Sequence, residues 1–160
     1  MQSITPCLWF DNNAEEAVNF YASIFEDLKI LKVSRFGEAG FELHGKKPGT
    51  AMTIEFELKG QKFTALNGGP MFKFTEAISF QVGCDTQEEI DRYWDKLSEG
   101  GDPSAQQCGW LKDKFGLSWQ IVPNVLGDLM TGSDAQERVM EALLQMKKLD
   151  IEALKKAHAG

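Results

Sequence analysis

The sequence predicts an α+β fold in which two βαβββ modules follow one another and a helical extension ends the chain. A faint internal repeat is the first observation: Ala14 to Tyr21 resembles Gln87 to Trp94, 73 positions further along. The second is that the hydrophobic pattern changes to a period of two after each of these segments. We therefore predict module 1 over residues 1–70, module 2 over residues 77–123 and a helical arm over residues 124–160, all within a single domain.

Each copy of the repeat begins with a strand, a polar turn and a helix. The apolar runs from Ile4 to Phe10 and from Ile78 to Val82 predict the strands. Polar residues then offer N-caps for the helices: Asn12 or Asn13, and Asp85 or Thr86. Apolar side chains recur at helical spacing at Ala17, Phe20, Tyr21 and Ile24, and again at Ile90, Tyr93, Trp94 and Leu97. We expect these stripes to pack on a sheet.

Three strands complete module 1, predicted over residues 30–36, 51–58 and 61–67. Lys59-Gly60 between the last two is a short turn pair with the glycine that a tight hairpin needs, and it places Phe56 opposite Phe63. One hairpin face then carries Met52, Ile54, Phe56, Phe63, Ala65 and Asn67. Module 2 is shorter: a loop over residues 100–103 leads to strands over residues 108–112 and 117–122.

The arm after Pro123 has a helical pattern. Ser133 to Gln136 has the form of a capping box, and an apolar stripe follows at Val139, Leu143 and Met146. A short helix over residues 151–157 is predicted last. Because the arm contains too few apolar residues for a core of its own, we expect it to dock on the body of the protein or on a second subunit.

Composition excludes several partners. Seventeen Lys and Arg against twenty-four Asp and Glu give a net charge of −7, and basic residues are nowhere concentrated, so we expect no nucleic-acid partner. No apolar run is long enough to cross a membrane, and the N-terminus lacks the features of a secretion signal. Three cysteines without Cys-x-x-Cys spacing, Cys7, Cys84 and Cys108, are expected to be buried reduced thiols. The sequence therefore predicts a cytoplasmic protein.

Short motifs spread over most of the chain carry a specific family resemblance. They are Ile4 to Phe10, Ala14 to Ala17, Phe20-Tyr21, Phe56 to Leu58, Gly60-Gln61, Ala65 to Pro70, Ile78 to Phe80, Asp91 to Trp94, Cys108 to Asp113 and Ser118 to Pro123. In these motifs the chain resembles the PhnB-like family, whose domain is labelled demethylubiquinone methyltransferase-like. That family lies within the vicinal oxygen chelate superfamily of glyoxalase I, bleomycin-resistance proteins and extradiol dioxygenases. The resemblance implies a cup-shaped mixed sheet and commonly a homodimer.

The resemblance also implies where a metal would bind. Superfamily enzymes typically hold a divalent cation in the cup through His and Glu at four strand positions. In this chain Pro6, Ala65 or Asn67, Ala77 or Ser79, and Gln120 stand at or beside those positions. None is a histidine or an acid, and a carboxamide is a weak ligand for a dication. Surface roles are expected for His44 and His158. We therefore predict neither a metal nor a cofactor.

A ligand pocket is the remaining prediction. Strand alternation favours an inward orientation for Phe10, Phe63, Asn67, Ser79, Gln81 and Gln120, with Trp110 at the rim. These groups suit a small neutral or aromatic molecule; the alternative is a filled core in which the side chains satisfy one another. A second function remains open, an enzyme of the superfamily or a methyltransferase as the family label suggests. No glycine-rich turn opens a helix in the way that a doubly wound nucleotide fold requires. Catalytic residues are not assigned.

Overall fold

Strands and helices alternate along the chain as the internal repeat predicts. A computed structural model describes residues 2–160, and the chain divides into two units, Met1–Lys73 and Phe74–Gly160. Each unit contains one mixed sheet with helices, as expected for the α+β class. Within residues 2–160 no helix combines the length and apolarity needed to span a membrane.

The first unit contains a four-stranded sheet and two helices. Its elements are β1 (Cys7–Phe10), α1 (Ala14–Ile24), β2 (Lys29–Arg35), α2 (Phe41–His44), β3 (Ala51–Leu58) and β4 (Gln61–Asn67). The sheet order is β1-β4-β3-β2, with β1 parallel to β4 and the other pairs antiparallel. Helix α1 lies on one face of β3 and β4, where its buried Ala17, Tyr21 and Ile24 pack.

The hairpin between β3 and β4 has the predicted bounds and register. Phe56 lies opposite Phe63 and Glu57 lies opposite Lys62. Lys59 and Gly60 both have positive φ, 52° and 79°, as a two-residue turn between twisted antiparallel strands requires. Because side chains alternate along each strand, this register places Ile54, Phe56 and Phe63 on one face and Leu66 on the other.

The other face of β1 carries Trp9, which is half-buried. Its indole Nε1 donates a hydrogen bond to the carbonyl of Gly69 at 2.9 Å, and the Phe72 ring packs against it with centroids 4.9 Å apart. The indole covers Gly68 so closely that a Cβ atom at that position would overlap the ring. Glycine at 68 is therefore required by the close approach of Trp9.

The second unit has a three-stranded sheet. Its elements are β5 (Ser79–Cys84), α3 (Gln87–Ser98), β6 (Trp110–Lys112), β7 (Ser118–Pro123), α4 (Leu126–Leu129), α5 (Ser133–Leu144) and α6 (Ile151–Ala159). The sheet order is β5-β7-β6, with β5 parallel to β7. A short 3-10 turn, Pro103–Ala105, and one isolated bridge occupy the place of a further strand after α3. Proline has no N–H to donate to a sheet, which explains why the ladder does not form there.

Polar side chains fix the two turns that flank the second sheet. Thr86 and Glu89 form a reciprocal capping box at the start of α3, so of the two predicted caps the structure uses Thr86. The carboxylate of Asp113 is 2% exposed and accepts hydrogen bonds from the backbone N–H of Phe115 and Leu117 and from Trp119 Nε1, at 2.8, 3.1 and 2.9 Å. The one strongly buried carboxylate described in residues 2–160 thus holds the β6–β7 turn.

The C-terminal arm forms a small core of its own, which corrects the expectation from its composition. Leu129, Val139, Leu149 and Leu154 are buried together, with α4, α5 and α6 contributing. The predicted capping box at Ser133 is also wrong: the helix starts at that residue, and Gly132 is the N-cap without a side-chain bond. The arm docks on its own unit, where the N–H of Cys108 and Gly109 donates to the carbonyls of Met146 and Lys147.

The cysteines only partly match the prediction of buried thiols. Cys84 is buried, Cys108 is half-buried and Cys7 is exposed. Cys7 lies at the first position of β1, on the face opposite the one that α1 covers, which explains its exposure. Burial raises the pKa of the Cys84 thiol to about 11, and the nearby carboxylates of Glu89 and Asp85 add to the shift.

Candidate functional site

The second sheet has one face covered by α3 and one open face. On β7, Trp119 and Ile121 are buried beneath the helix, while Gln120 between them is half-buried on the opposite face. The alternation follows from the pleat, since successive side chains of a strand point to opposite sides. The structure therefore places Gln120 on the open face and Trp119 beneath the helix.

Three neutral polar side chains lie together on this open face. Gln81 on β5 and Trp110 on β6 are the register partners of Gln120 on the two neighbouring strands. Gln120 Nε2 donates to Ser79 Oγ at 2.8 Å, and Gln81 Nε2 lies 3.4 Å from Gln120 Oε1. We call Ser79, Gln81 and Gln120 the amide ladder. All three are among the inward-facing pocket residues that the sequence analysis predicts. In the structure Ser79 and Gln81 each lie within hydrogen-bonding distance of Gln120.

A cavity of about 500 Å³ adjoins the amide ladder at the carboxyl ends of β5 and β7. We call it the β5–β7 cavity. Its walls are formed by Gln81, Gly83, Val122, Pro123, Asn124, Leu126, Gly127 and Met130. None of these side chains carries a charge. The volume lies within the range of about 300–1,000 Å³ that is usual for small-molecule sites.

Asn124 is a polar residue of the cavity lining, next to Gly83. Its Nδ2 donates to Asp85 Oδ1 at 2.7 Å, which fixes the orientation of the carboxamide. Its Oδ1 lies over Gly83, where any Cβ atom would overlap the oxygen. A side chain at position 83 would therefore displace the carboxamide of Asn124 from this position. Asp85 is engaged behind the carboxamide rather than in the cavity wall.

Three predicted pocket residues lie in the first unit, and there the structure corrects their placement. Phe10, Phe63 and Asn67 are 3%, 8% and 3% exposed, on the side of the sheet that α1 covers. Phe63 stacks on Phe56 with centroids 5.2 Å apart. The physical reason is that the apolar hairpin face buries more area against the helix than it could in an open pocket.

Asn67 is fully engaged inside the first unit. Its Oδ1 accepts from the backbone N–H of Ala14 at 2.9 Å, and its Nδ2 donates to the carbonyl of Ala51 at 2.9 Å. Asn13, the residue at the N-cap of α1, makes no side-chain capping bond. Asn67 therefore takes over the capping role that the sequence assigned to Asn12 or Asn13.

A smaller cavity of about 220 Å³ lies in the first unit. It is lined by Thr5, Leu31, Glu55, Lys62, Phe63 and Thr64, so Phe63 borders a cavity as well as packing on Phe56. Neither Phe10 nor Asn67 is among its lining residues. We do not assign it a role in the candidate site.

The donors at the candidate site do not fit a divalent metal. Ser79, Gln81 and Gln120 are neutral and bonded to one another, whereas dications are held in proteins by imidazole, thiolate or carboxylate groups. Across residues 2–160 no three His, Cys, Asp or Glu side chains lie close enough to hold an ion. His44 is engaged in its own loop: Nδ1 accepts from the N–H of Lys46 at 2.9 Å and Nε2 lies 3.1 Å from the carbonyl of Ala39.

Sequence reasoning missed Gly83, Asn124, Leu126 and Met130 as cavity residues. One signal was available for Gly83, which stands at the same strand face as Gln81 two positions earlier and leaves that face without a side chain. The other three follow Pro123 in a segment that carries no strand pattern. Their position depends on how the arm packs, which local periodicity does not encode.

The comparisons with known proteins agree with this architecture. The family model described as 3-demethylubiquinone-9 3-methyltransferase matches residues 2–122. The chain belongs to this family. The match ends just before the arm, so the family covers both sheets but not Asn124, Leu126 or Met130.

Solved structures extend the likeness beyond the PhnB-like family. A PhnB protein from Bacillus cereus is 39% identical, with a TM-score of 0.64, over 76% of this chain and 99% of that one. Protein PA1353 from Pseudomonas aeruginosa is 20% identical, with a TM-score of 0.58, over 77% of this chain and 98% of that one. The fosfomycin resistance protein FosX from Listeria monocytogenes is 15% identical, with a TM-score of 0.55, over 82% and 98%. The last two, both under 25% identical, show the fold alone. Among proteins of curated function, no match was found.

Proposed function

We propose that this PhnB-like protein binds a small neutral molecule, apolar or aromatic over part of its surface, at the amide ladder and the adjoining β5–β7 cavity. The observation that carries the proposal is the ladder itself. Ser79, Gln81 and Gln120 form a row of neutral donors and acceptors on one sheet face, and they keep part of their surface exposed beside a cavity. Amide groups of this kind orient a ligand by hydrogen bonds to either donors or acceptors.

The partial exposure of the ladder favours a binding role over a filled core. A side chain that only completes a core is normally enclosed, with its polar atoms satisfied internally. Asn67 in the first unit is of that kind, being 3% exposed with both amide groups bonded. Gln120 is half-buried and Gln81 is exposed. The two carboxamides therefore remain accessible to a ligand.

A fragment screen observed by NMR tests the proposal. Neutral aromatic and apolar fragments are added to the isotope-labelled protein, and the side-chain amide resonances of Gln81, Gln120 and Asn124 are followed. We expect at least one fragment to shift these resonances saturably. Gln120→Leu should then weaken binding about tenfold, the usual effect of losing one good hydrogen bond, whereas the matched variant Gln136→Leu on the exposed face of α5 should not. A screen in which no fragment shifts the ladder resonances would overturn the proposal.

A second candidate, catalysis, is favoured by the description of the matched family as a methyltransferase. Isothermal titration with S-adenosylmethionine tests this directly: saturable one-site heat would support it, and its absence would remove the methyltransferase alternative.

The enzyme chemistry of the wider superfamily calls for a bound cation. Metal analysis of protein purified without chelator tests that alternative, and a stoichiometric metal lost in Gln120→Leu would support it.

We further propose a homodimer. Members of the superfamily that the chain resembles commonly form homodimers. A second support is the edge strand β2, where the apolar residues Ile30, Leu31 and Val33 are 47%, 47% and 36% exposed. Light scattering should give twice the chain mass of 17.9 kDa at micromolar concentration. A mass equal to that of one chain would contradict the proposal.

A cytoplasmic location is also proposed, on the cysteines. Cys7, Cys84 and Cys108 are all free, and an exposed thiol such as Cys7 persists in a reducing compartment. Fractionation of the source cells tests this location. Recovery of the protein outside the cytoplasm would contradict it.

A further inference from the structure

Several residues that line the β5–β7 cavity follow the family match along the chain. That match ends at residue 122, and the Bacillus cereus protein covers 76% of this chain while 99% of its own length is covered. Asn124, Leu126 and Met130 line the cavity from α4 and its flanks. We infer that the segment Asn124 to Met130 determines specificity at the proposed site, by selecting molecules that present a hydrogen-bond donor next to an apolar group. This inference rests on the proposed function.

Donor selectivity follows from the orientation of two carboxamides. Asn124 Nδ2 donates a hydrogen bond to Asp85 Oδ1. The Oδ1 of Asn124 is therefore the atom that lies over Gly83 at the cavity wall. Gln81, also a lining residue, directs its Nε2 toward Gln120 Oε1 at 3.4 Å, so its Oε1 is the second carbonyl oxygen that we assign to the ligand. Two acceptors are matched by a ligand with an N–H₂ or O–H group rather than by a second carbonyl. The negative charge of Asp85 behind Asn124 strengthens the preference for donors.

Apolar selectivity follows from the apolar side chains that line the cavity. Val122, Leu126 and Met130 are half-buried, and each leaves part of its side chain at the cavity. Methionine has three rotatable bonds and a polarizable sulfur, so Met130 adapts to the shape of an aromatic or aliphatic group.

The wall is held in place from behind by the arm. Leu129 on α4 is buried in the cluster with Val139 and Leu154 from α5 and α6. Gln87 on α3 fastens the start of α6, since its Nε2 donates to the carbonyl of Leu149 and its Oε1 accepts from the N–H of Ile151. Leu126 and Met130 also pack against this cluster, so the arm holds α4 in position, as a specificity-determining segment requires.

Three small probe molecules separate the selectivity for a hydrogen-bond donor from the selectivity for an apolar group. Benzamide has an amide N–H₂ donor and a ring, acetophenone has the same ring and only an acceptor, and acetamide has the donor without the ring. Each is titrated into the full-length protein, and the dissociation constant is read from the resonances of Gln81 and Gln120. We expect benzamide to bind about tenfold more tightly than acetophenone and at least tenfold more tightly than acetamide.

Two variants assign these preferences to the segment. Asn124→Ala should reduce the preference for benzamide over acetophenone to about twofold, because one acceptor oxygen is lost. Met130→Ala should weaken benzamide about fivefold and leave acetamide nearly unchanged, because the contact it removes at the cavity is with the ring. Met130 also packs against the arm core, so the fold of the variant is checked by its thermal unfolding. Asn19→Ala and Met140→Ala are matched controls on exposed helix positions and should change neither ratio.

The outcomes distinguish the proposed binding function from the proposed specificity of the segment Asn124 to Met130. If none of the probes or fragments shifts the ladder resonances, the proposed function and this inference both fail. If benzamide binds at the ladder but acetophenone binds equally well, or both ratios survive the two variants, the inference alone is overturned. The wild-type comparison of benzamide with acetophenone decides the question of donor selectivity even if Asn124→Ala does not fold.

Discussion

The carboxamide oxygen of Asn67, the last residue of β4, accepts a hydrogen bond of 2.9 Å from the backbone N–H of Ala14, the first residue of α1. The first N–H groups of a helix have no partner within the helix and are costly when buried without one. Because Asn67 also donates to the carbonyl of Ala51, one side chain joins the helix start to two strands. A long-range contact thus replaces the local cap.

Asn67→Ala is predicted to destabilise the protein by about 2–3 kcal/mol, since it leaves two buried backbone groups without partners. Chemical denaturation monitored by tryptophan fluorescence measures the loss. Asn19→Ala, an exposed asparagine on α1, should cost less than about 0.5 kcal/mol. A loss at Asn67 no larger than that of this control would show that the carboxamide does not hold the helix start.

Gln120→Leu is predicted to change the free energy of unfolding by no more than about 1 kcal/mol, because its partners Ser79 and Gln81 are half-buried and exposed and can bond to water instead. Thermal or denaturant unfolding checks this. A loss of about 2–3 kcal/mol would place Gln120 in a filled core and count against the proposed site.

Gln87→Ala is predicted to loosen the arm without unfolding the sheets. The variant removes two hydrogen bonds to the backbone around α6, of 3.0 and 2.9 Å. Amide exchange at Ile151 should accelerate about tenfold or more, with protection in β5 and β7 retained. Gln136→Ala is the matched control, and unchanged exchange at Ile151 in Gln87→Ala would refute the role of the side chain.

A pH dependence is predicted for the ion pair between Lys148 in the arm and Asp91 on α3, whose atoms lie 2.9 Å apart. Hydrogen bonds from Lys148 and Gln87 lower the pKa of Asp91 below 3.8, and the bond to Asp91 raises the pKa of Lys148 above 10.5. The contribution of Asp91 is therefore present above its ordinary pKa and lost as the pH falls through the lowered value. The contribution of Lys148 is present below its ordinary pKa and lost as the pH rises through the raised one.

Asp91→Asn should accordingly cost about 0.5 kcal/mol at neutral pH, as is usual for exposed pairs, and progressively less below about pH 4. Denaturation of wild type and variant at a series of pH values measures the difference. Glu137→Gln on α5 serves as the control. A difference that does not shrink in acid would show that the ion pair is not its source.

Thiol reactivity should separate the cysteines. Cys84 is buried and the pKa of its thiol is raised to about 11, so at pH 8 it has almost no reactive thiolate. We expect dithionitrobenzoate to modify the exposed Cys7 rapidly in the native protein and Cys84 only on unfolding. Cys7→Ser should abolish the fast phase and Cys84→Ala should leave it unchanged. A fast phase that disappears in Cys84→Ala would contradict this assignment.

Most of the fold was predictable because its signals are local. The turn pair Lys59-Gly60 sets the register of β3 and β4, and the structure confirms Phe56 opposite Phe63. The second sheet has fewer strands than the repeat suggests, because Pro103 interrupts the ladder at the corresponding place. The arm was harder to predict, since its small core depends on Leu129 and Leu149, which lie outside the helical stripe.

The candidate site was predictable only in the second unit. In the structure Gln81 and Gln120 are register partners in the second unit, and Phe63 and Asn67 lie on one face of β4 in the first. Alternation does not predict which of the two faces of a sheet a helix will cover. In the second unit the buried Trp119 marked the covered face, whereas in the first unit Asn67 resembled a pocket amide and is a helix cap.

Trp9 and Gly68 in the first unit occupy the positions that Gly83 and Asn124 occupy in the second, since Phe10 pairs with Asn67 as Cys84 pairs with Pro123. In each pair a glycine makes room for the other residue, but the roles of the two positions are exchanged. In the first unit the glycine lets an indole cover the end of the sheet. In the second unit the glycine lies beneath a carboxamide at the edge of a cavity. The same close contact therefore closes the sheet end in one unit and leaves it open in the other.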